Sequence, residues 1–190
     1  MLENLRHDLR RLAEFKLGKP RASLKLTLES LLFDNGFQAV VLHRCAHFFK
    51  KRGIPVIGPV IGRLSQLVTG VEISPSASVG PGLLIGHGQG IVVGKWASIG
   101  SDCTMMQQVT LGATQIATLE GMPTLGDGVF LGAGARVLGP VRIGHGALVG
   151  ANALVAEDVP DGGKALAAPA IVRGPRPDSG EPASGEPASG

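Results

Sequence analysis

The sequence predicts a mainly β fold, a solenoid of stacked coils preceded by a short α-helical segment. Three observations carry this. An aliphatic residue opens a six-residue unit at Ile73, Val79, Ile85, Val93, Ile99, Met105 and Leu111, and again at Leu125, Leu131, Val137, Ile143, Val149 and Val155. The 29 glycines recur beside these aliphatics, with neither a collagen period nor confinement to linkers. Aromatics are scarce (six Phe, one Trp, no Tyr), so the core is built from small aliphatic side chains.

Residues 1–70 read as helical. Leu2, Leu5, Leu9 and Leu12 recur at helical spacing with charges between them. Gly18-Lys19-Pro20 is a breaker, Ser23 to Phe33 is a short apolar helix candidate, and Asn35-Gly36 is a turn signal. Phe37 to Lys51 is a stronger helix with a basic last turn and Gly53 just beyond it. Val56 to Thr69 follows Pro55 and stops at Gly70.

From Val71 to about residue 174 the period is six. Each unit reads as one short strand and a turn, with the aliphatic inward and a small residue recurring near the fifth position (Ala77, Ala97, Ala135, Ala147, Ala153). One unit cannot bury its own face, whereas stacked coils can, which is why such units come in long arrays; thirteen occur here. The array breaks twice. Two extra residues enter between Ile85 and Val93, where His87 lies, and a longer insert separates Leu111 from Leu125, predicting a projecting loop at about 113–123. Residues 175–190 are a duplicated low-complexity peptide, for which disorder is expected.

The net charge of +3 is unevenly spread: residues 1–70 carry 12 Lys and Arg against 5 Asp and Glu, and residues 71–174 carry 5 against 7. No aromatic or recognition motif accompanies the basic segment, so it reads as a solvated helical face and no nucleic-acid partner is expected. Cys45 and Cys103 form no disulfide framework and have no CxxC partner. The N-terminus lacks the apolar run of a signal peptide, and the stretch Ile54 to Val68 is interrupted by Pro55, Pro59, Arg63 and Gln66. A cytoplasmic protein without an integral membrane segment is the expectation.

Several residues have plain readings. His145 sits in a regular unit and reads as a surface turn residue. His43 and His47 lie at i, i+4 with Cys45 between them, yet no third ligand has a suitable spacing, so packing is favoured over a metal site. Cys103 reads as a small core residue. Trp96 suits either a subunit face or a ligand.

GFQAVVLHRCAHFF, GLLIGHGQGIVVG, QQVTLGAT and LGAGARVLGPVRIGHGALVGANALV resemble segments of the hexapeptide-repeat acyltransferases, in the serine acetyltransferase-like branch. The resemblance implies a left-handed parallel β-helix and a homotrimer with acetyl-CoA as donor, bound between neighbouring subunits. It puts His87 on the catalytic histidine, Glu72 on the carboxylate that orients it, and Gln107 and Thr110 on the motif that opens the loop. It assigns the CoA site to Ala113, Thr114, Ala133 and Ala151. Lys164 and Arg173 are phosphate candidates by position alone, and each also reads as a plain surface cation. No metal is implied.

Three departures bear on the acceptor. Glu72 is one methylene longer than the family's aspartate, Gly86 replaces an aspartate beside the histidine, and Met122 replaces a histidine that contacts serine. Gly86, Gln107 and Met122 are therefore the substrate-side candidates. The departures look like acetyltransferases of exopolysaccharide clusters, of the colanic-acid type, and tilt the expected acceptor slightly towards a sugar hydroxyl, with L-serine close behind. The tail ends in Ala-Ser-Gly and lacks the isoleucine that docks into cysteine synthase, so that partnership is not expected.

The chemistry needs little machinery. A base takes the hydroxyl proton as oxygen attacks the thioester, and a neutral imidazole titrates near working pH. A carboxylate on its second ring nitrogen holds the tautomer and stabilises the imidazolium. The rival reading is a catalytically silent, structural or regulatory repeat trimer. A γ-class carbonic anhydrase-like site would need three clustered histidines, and the repeat carries only His87 and His145.

Overall fold

A computed structural model describes residues 1–114 and 121–169. Four helices come first: α1 (Leu2–Leu17), α2 (Leu24–Phe33), α3 (Asn35–Lys51) and α4 (Ile57–Thr69). Ser23 caps α2, its Oγ accepting from the Leu26 N–H at 3.1 Å. Gly70, at φ 72°, ends α4 in the left-handed conformation that glycine adopts without a Cβ penalty.

The Asn35-Gly36 pair is not a turn between helices. Asp34 alone separates α2 from α3, and its Oδ1 caps the Phe37 N–H at 2.9 Å. Gly36 lies within the first turn of α3, where a Cβ would run into the Ile85 carbonyl oxygen. Close docking of the helix on the coil thus explains a glycine that local turn chemistry also fits.

The coil begins at Val71. Its strands are β1 (Val71–Ile73), β2 (Ser78–Val79), β3 (Leu84–Ile85), β4 (Ile91–Val93), β5 (Ser98–Ile99), β6 (Thr104–Met105), β7 (Thr110–Gly112), β8 (Thr124–Leu125), β9 (Phe130–Leu131), β10 (Arg136–Leu138), β11 (Arg142–Ile143), β12 (Leu148–Val149), β13 (Leu154–Val155) and β14 (Lys164–Ala165). They form three parallel sheets, ordered β1-β4-β7-β10-β13, β2-β5-β8-β11 and β3-β6-β9-β12-β14. Up to β13 every third strand returns to the same sheet, which makes a three-sided prism; in the last coil a single Ile143–Val159 bridge takes the second face, and β14 joins the third sheet. We call the turns from the third sheet into the first the leading edge, those from the first into the second the trailing edge, and those from the second into the third the far edge.

All thirteen unit-opening aliphatics are buried inside the prism, and the five alanines named above are buried with them. Strands of two or three residues hold because each is laddered to the coils on either side and its inward side chain stacks on its neighbours.

The helices cover the first coils. Leu84 points away from the prism yet is buried, because Leu12 of α1 and Phe37 of α3 close over it. A buried ion pair locks this arrangement. Arg44 of α3 donates from Nε and Nη2 to the two carboxylate oxygens of Asp8 at 3.0 Å each, and from Nη1 and Nη2 to the Val79 and Gly80 carbonyls at 2.5 and 2.6 Å. Asp8 Oδ1 also accepts from the Gly82 and Leu83 N–H groups at 2.8 and 3.2 Å. Both charges are paired and their remaining hydrogen-bonding capacity is used, the condition under which a buried pair is tolerated.

Candidate active site on the leading edge

The leading edge is a column of stacked turns. At most levels four residues connect the strands, as in 106–109, 132–135 and 150–153, whereas the top turn, 86–90, has five. Backbone bonds tie the levels together: the Gln108 N–H donates to the Gln89 carbonyl at 2.9 Å, Gly134 N–H to Gln107 at 2.9 Å, and Asn152 N–H to Ala133 at 2.8 Å. His87, Gln107, Ala133 and Ala151 therefore lie on one edge of the prism, in that order.

His87 is exposed and has no hydrogen-bond partner among the described residues. One level below it, Gln107 Oε1 is buried without a partner among the described residues. A buried acceptor left unpaired costs about 1–3 kcal/mol; Arg11 Nε, Ser30 Oγ and His43 Nδ1, in the helices, are buried in the same state, and among the described residues Gln107 is the one such residue on the coil. Gly86 donates its N–H to the Met105 carbonyl at 2.9 Å, and a Cβ there would meet Met106 Sδ at 2.8 Å. The Met106 thioether thus fills the space that a side chain at position 86 would enter.

Glu72 projects outward from β1, in the first sheet. Its Oε2 accepts from Gln66 Nε2 at 2.9 Å, and Gln66 Oε1 accepts from Arg63 Nη1 at 2.6 Å, so α4 steers this carboxylate. Among the described residues no hydrogen bond or ion pair within 4 Å joins Glu72 to His87. They are nonetheless neighbours through β1: the His87 turn lies against Val71, where a Cβ on Gly88 would meet Val71 Cγ2 at 2.8 Å.

The remaining predicted residues divide. Ala113 and Thr114 stand on the trailing edge, where a Cβ on Gly139 would touch Thr114 Cγ2 at 3.2 Å. Met122 is half-buried there, its methyl folded onto Gly94. Lys164 is exposed on β14, in the third sheet. Arg173 lies outside the described residues, as do positions 115–120 of the expected loop and the 175–190 tail. Within one subunit the two alanines of the leading edge are thus separated from Ala113 and Thr114 by the width of the first sheet.

The sequence reading did not assign Lys50, Arg63, Gln66 and Lys95. With Glu72 and Trp96 they line a groove of about 570 Å³ between α4 and the trailing edge. Trp96, the chain's single tryptophan, was the available signal. Below the groove, His43 is buried, and burial, assisted by the positive charge of Arg44 and by His47, lowers its pKa to about 3. His47 Nδ1 lies 3.0 Å from the Pro75 carbonyl, so the histidine pair packs the helix onto the coil. Cys103 is buried, and burial raises its thiol pKa to about 11. His145 is exposed on the far edge, 3.0 Å from the Asp127 N–H. Among the described residues no group of three potential ligands could hold a metal, and no helix is long and apolar enough to cross a membrane.

Residues 122–157 match the bacterial transferase hexapeptide (six repeats) family. A serine acetyltransferase of Helicobacter pylori is 42% identical over 142 residues, 75% of this chain and 83% of that protein. The chain belongs to the serine acetyltransferase family. The corresponding enzyme of Mycobacterium tuberculosis is 37% identical over 183 residues, 96% of this chain and 78% of its own. That of Synechococcus elongatus is 47% identical over 133 residues, but the match spans only 54% of its length. Among solved structures, soybean serine acetyltransferase complexed with serine superposes with a TM-score of 0.79 at 35% identity, covering 89% of this chain and 68% of that one. A serine acetyltransferase complex with CoA gives 0.78 at 29% identity, covering 90% and 68%. The prism is accordingly the left-handed parallel β-helix of this family.

Proposed function

We propose that this chain transfers the acetyl group of acetyl-CoA to the hydroxyl of L-serine, with His87 as general base. The observation that carries this reading is His87 itself: an imidazole without a partner among the described residues, on the lengthened turn of an otherwise regular edge, one level above the buried Gln107 Oε1. The names of the relatives support serine as acceptor.

In the proposed reaction the serine oxygen attacks the thioester carbonyl while His87 takes its proton. The tetrahedral intermediate collapses, the C–S bond breaks, and the imidazolium returns the proton to the departing CoA sulfur. No covalent acyl-enzyme is needed, because a thiolate is a good leaving group. Gln66 engages Glu72 through Oε2, which leaves Oε1 for the His87 ring. Gln107 faces the acceptor. Ala113, Thr114, Ala133 and Ala151 offer small surfaces for pantetheine, with Lys164 and Arg173 as phosphate partners. Ala133 and Ala151 stand on one edge of the prism and Ala113 and Thr114 on another, so a neighbouring subunit of a homotrimer completes the CoA groove. The exposed Val60, Leu64, Leu67 and Val68 of α4 supply an apolar surface for such packing.

A sugar hydroxyl is the second reading. Met106 fills the space beside Gly86, and Met122 lies on Gly94, so neither position presents a polar group to an amino acid. CoA release measured with L-serine and with a panel of sugars separates the two. Turnover with serine, falling about 10²–10⁴-fold in His87→Ala, supports the first; turnover with sugars alone replaces it by the second.

A further inference from the structure

We infer that the groove between α4 and the trailing edge reads the carboxylate of the acceptor, with Lys95 and Lys50 as its cations. The inference rests on the serine reading above and adds the residues that select an amino acid.

The groove carries Lys50, Arg63 and Lys95 against one carboxylate, Glu72. Glu72 is engaged by Gln66, and Gln66 by Arg63. Among the described residues neither Lys50 nor Lys95 has a carboxylate within 4 Å. Two lysines in one concave site without a counter-ion leave positive potential for an incoming anion.

Trp96 forms part of the wall. It is 61% exposed and held at φ 64°. The left-handed region is unfavourable for a bulky side chain and costs of order 1–3 kcal/mol. The other non-glycine residues with positive φ are Asp102, Gln108 and Asn152, polar side chains of which two are the short types that tolerate this conformation. Burial does not offset the strain at Trp96, since the indole is largely in solvent. Positive φ recurs in the coil turns, and at this turn it sets an apolar ring in the groove wall next to Lys95.

The groove also lies in reach of the chemistry. β1 runs from Val71, against the His87 turn, through Glu72 to Ile73 and Ser74, which line the groove with Gly94 and Trp96. Glu72 itself lines the groove and directly follows Val71, against which the His87 turn lies, so an amino acid seated beside Glu72 stands between the lysines and the His87 turn. Serine needs a cation for its carboxylate, and Met122 provides none. A neutral sugar would draw nothing from Lys95.

The test compares L-serine with L-serinamide, which keeps hydroxyl and ammonium but lacks the carboxylate charge. In the wild type KM for serinamide is expected to exceed that for serine about tenfold or more. Lys95→Ala, and more so the Lys50→Ala/Lys95→Ala pair, raises KM for serine roughly tenfold. Both leave KM for serinamide and for acetyl-CoA in place, and Lys95→Arg retains most of the preference. Lys25→Ala, a surface lysine on α2 paired with Glu29 at 3.7 Å, controls for loss of charge as such. Equal use of serine and serinamide by the wild type, or serine kinetics unmoved by the lysine substitutions, overturns this inference and leaves the serine reading intact. Absence of wild-type turnover with serine overturns both.

Discussion

Two edges of the same prism are built on opposite rules. On the far edge polar groups find partners within the protein: Asp127 Oδ1 accepts from the Ser101 N–H at 2.7 Å, Asp161 Oδ1 from the His145 N–H at 2.8 Å, and His7 of α1 reaches Asp102 at 2.8 Å. Asp8 and Arg44 close the top of that edge. On the leading edge His87 and Gln107 Oε1 have no partner among the described residues. The coil geometry is shared, so the difference comes from the side chains alone. The far edge spends its polar groups on holding the stack together; the leading edge uses Gln89 in the same way, on the Thr69 carbonyl, but not His87 or Gln107 Oε1.

The comparison breaks most severely at Asp8. Asp8→Ala leaves Arg44 buried without its counter-ion and two N–H groups unpaired, with an expected loss of about 3–5 kcal/mol, read from urea denaturation. An effect near zero would mean that the far edge does not depend on the clamp.

Comparable in size over its full pH range is the acid response of His43. Its ordinary value is 6.5 and burial lowers it to about 3. Between these values the unfolded chain holds a proton that the folded chain refuses. Stability from this group is fully present above pH 6.5 and declines by about 1.4 kcal/mol per pH unit as pH falls towards 3. Urea melts at a series of pH values should show this slope, and His43→Phe should remove its contribution.

The smallest effects sharpen the contrast most directly. Gln107→Leu removes an unsatisfied buried acceptor, so stability should stay level or rise slightly while kcat/KM for the acceptor falls about tenfold. Asp127→Ala should do the reverse, costing roughly 0.5–1.5 kcal/mol with kinetics unchanged. If both variants lose stability and both keep activity, the two edges are not functionally distinct.

Much of this was legible in the chain. The six-residue period located the thirteen unit-opening aliphatics but not Val71, Ile91, Val109, Val129, Val141 and Val159, which are buried with them; the interruption after Ile85 located His87, because coil period is a local property repeated many times. The Asn35-Gly36 pair misled, since the same two residues serve a turn and a helix start, and only the cap from Asp34 decides between them. The pairing of Glu72 was also out of reach. Its partner, Gln66, is six residues away on α4, and their contact depends on the angle at which that helix meets β1.

The sequence by itself determined the prism, its buried stack and the histidine on its broken turn, because a repeated local period leaves one way to bury so many small aliphatics. The tertiary structure alone decided the groove. Lys50, Arg63, Glu72 and Lys95 come from α3, α4, β1 and a trailing-edge turn. They share a site only because α3 and α4 dock on the first coils, with Gly36 against Ile85 and Arg44 clasped by Asp8. Such long-range docking is set by shape and buried charge, which no period in the chain encodes.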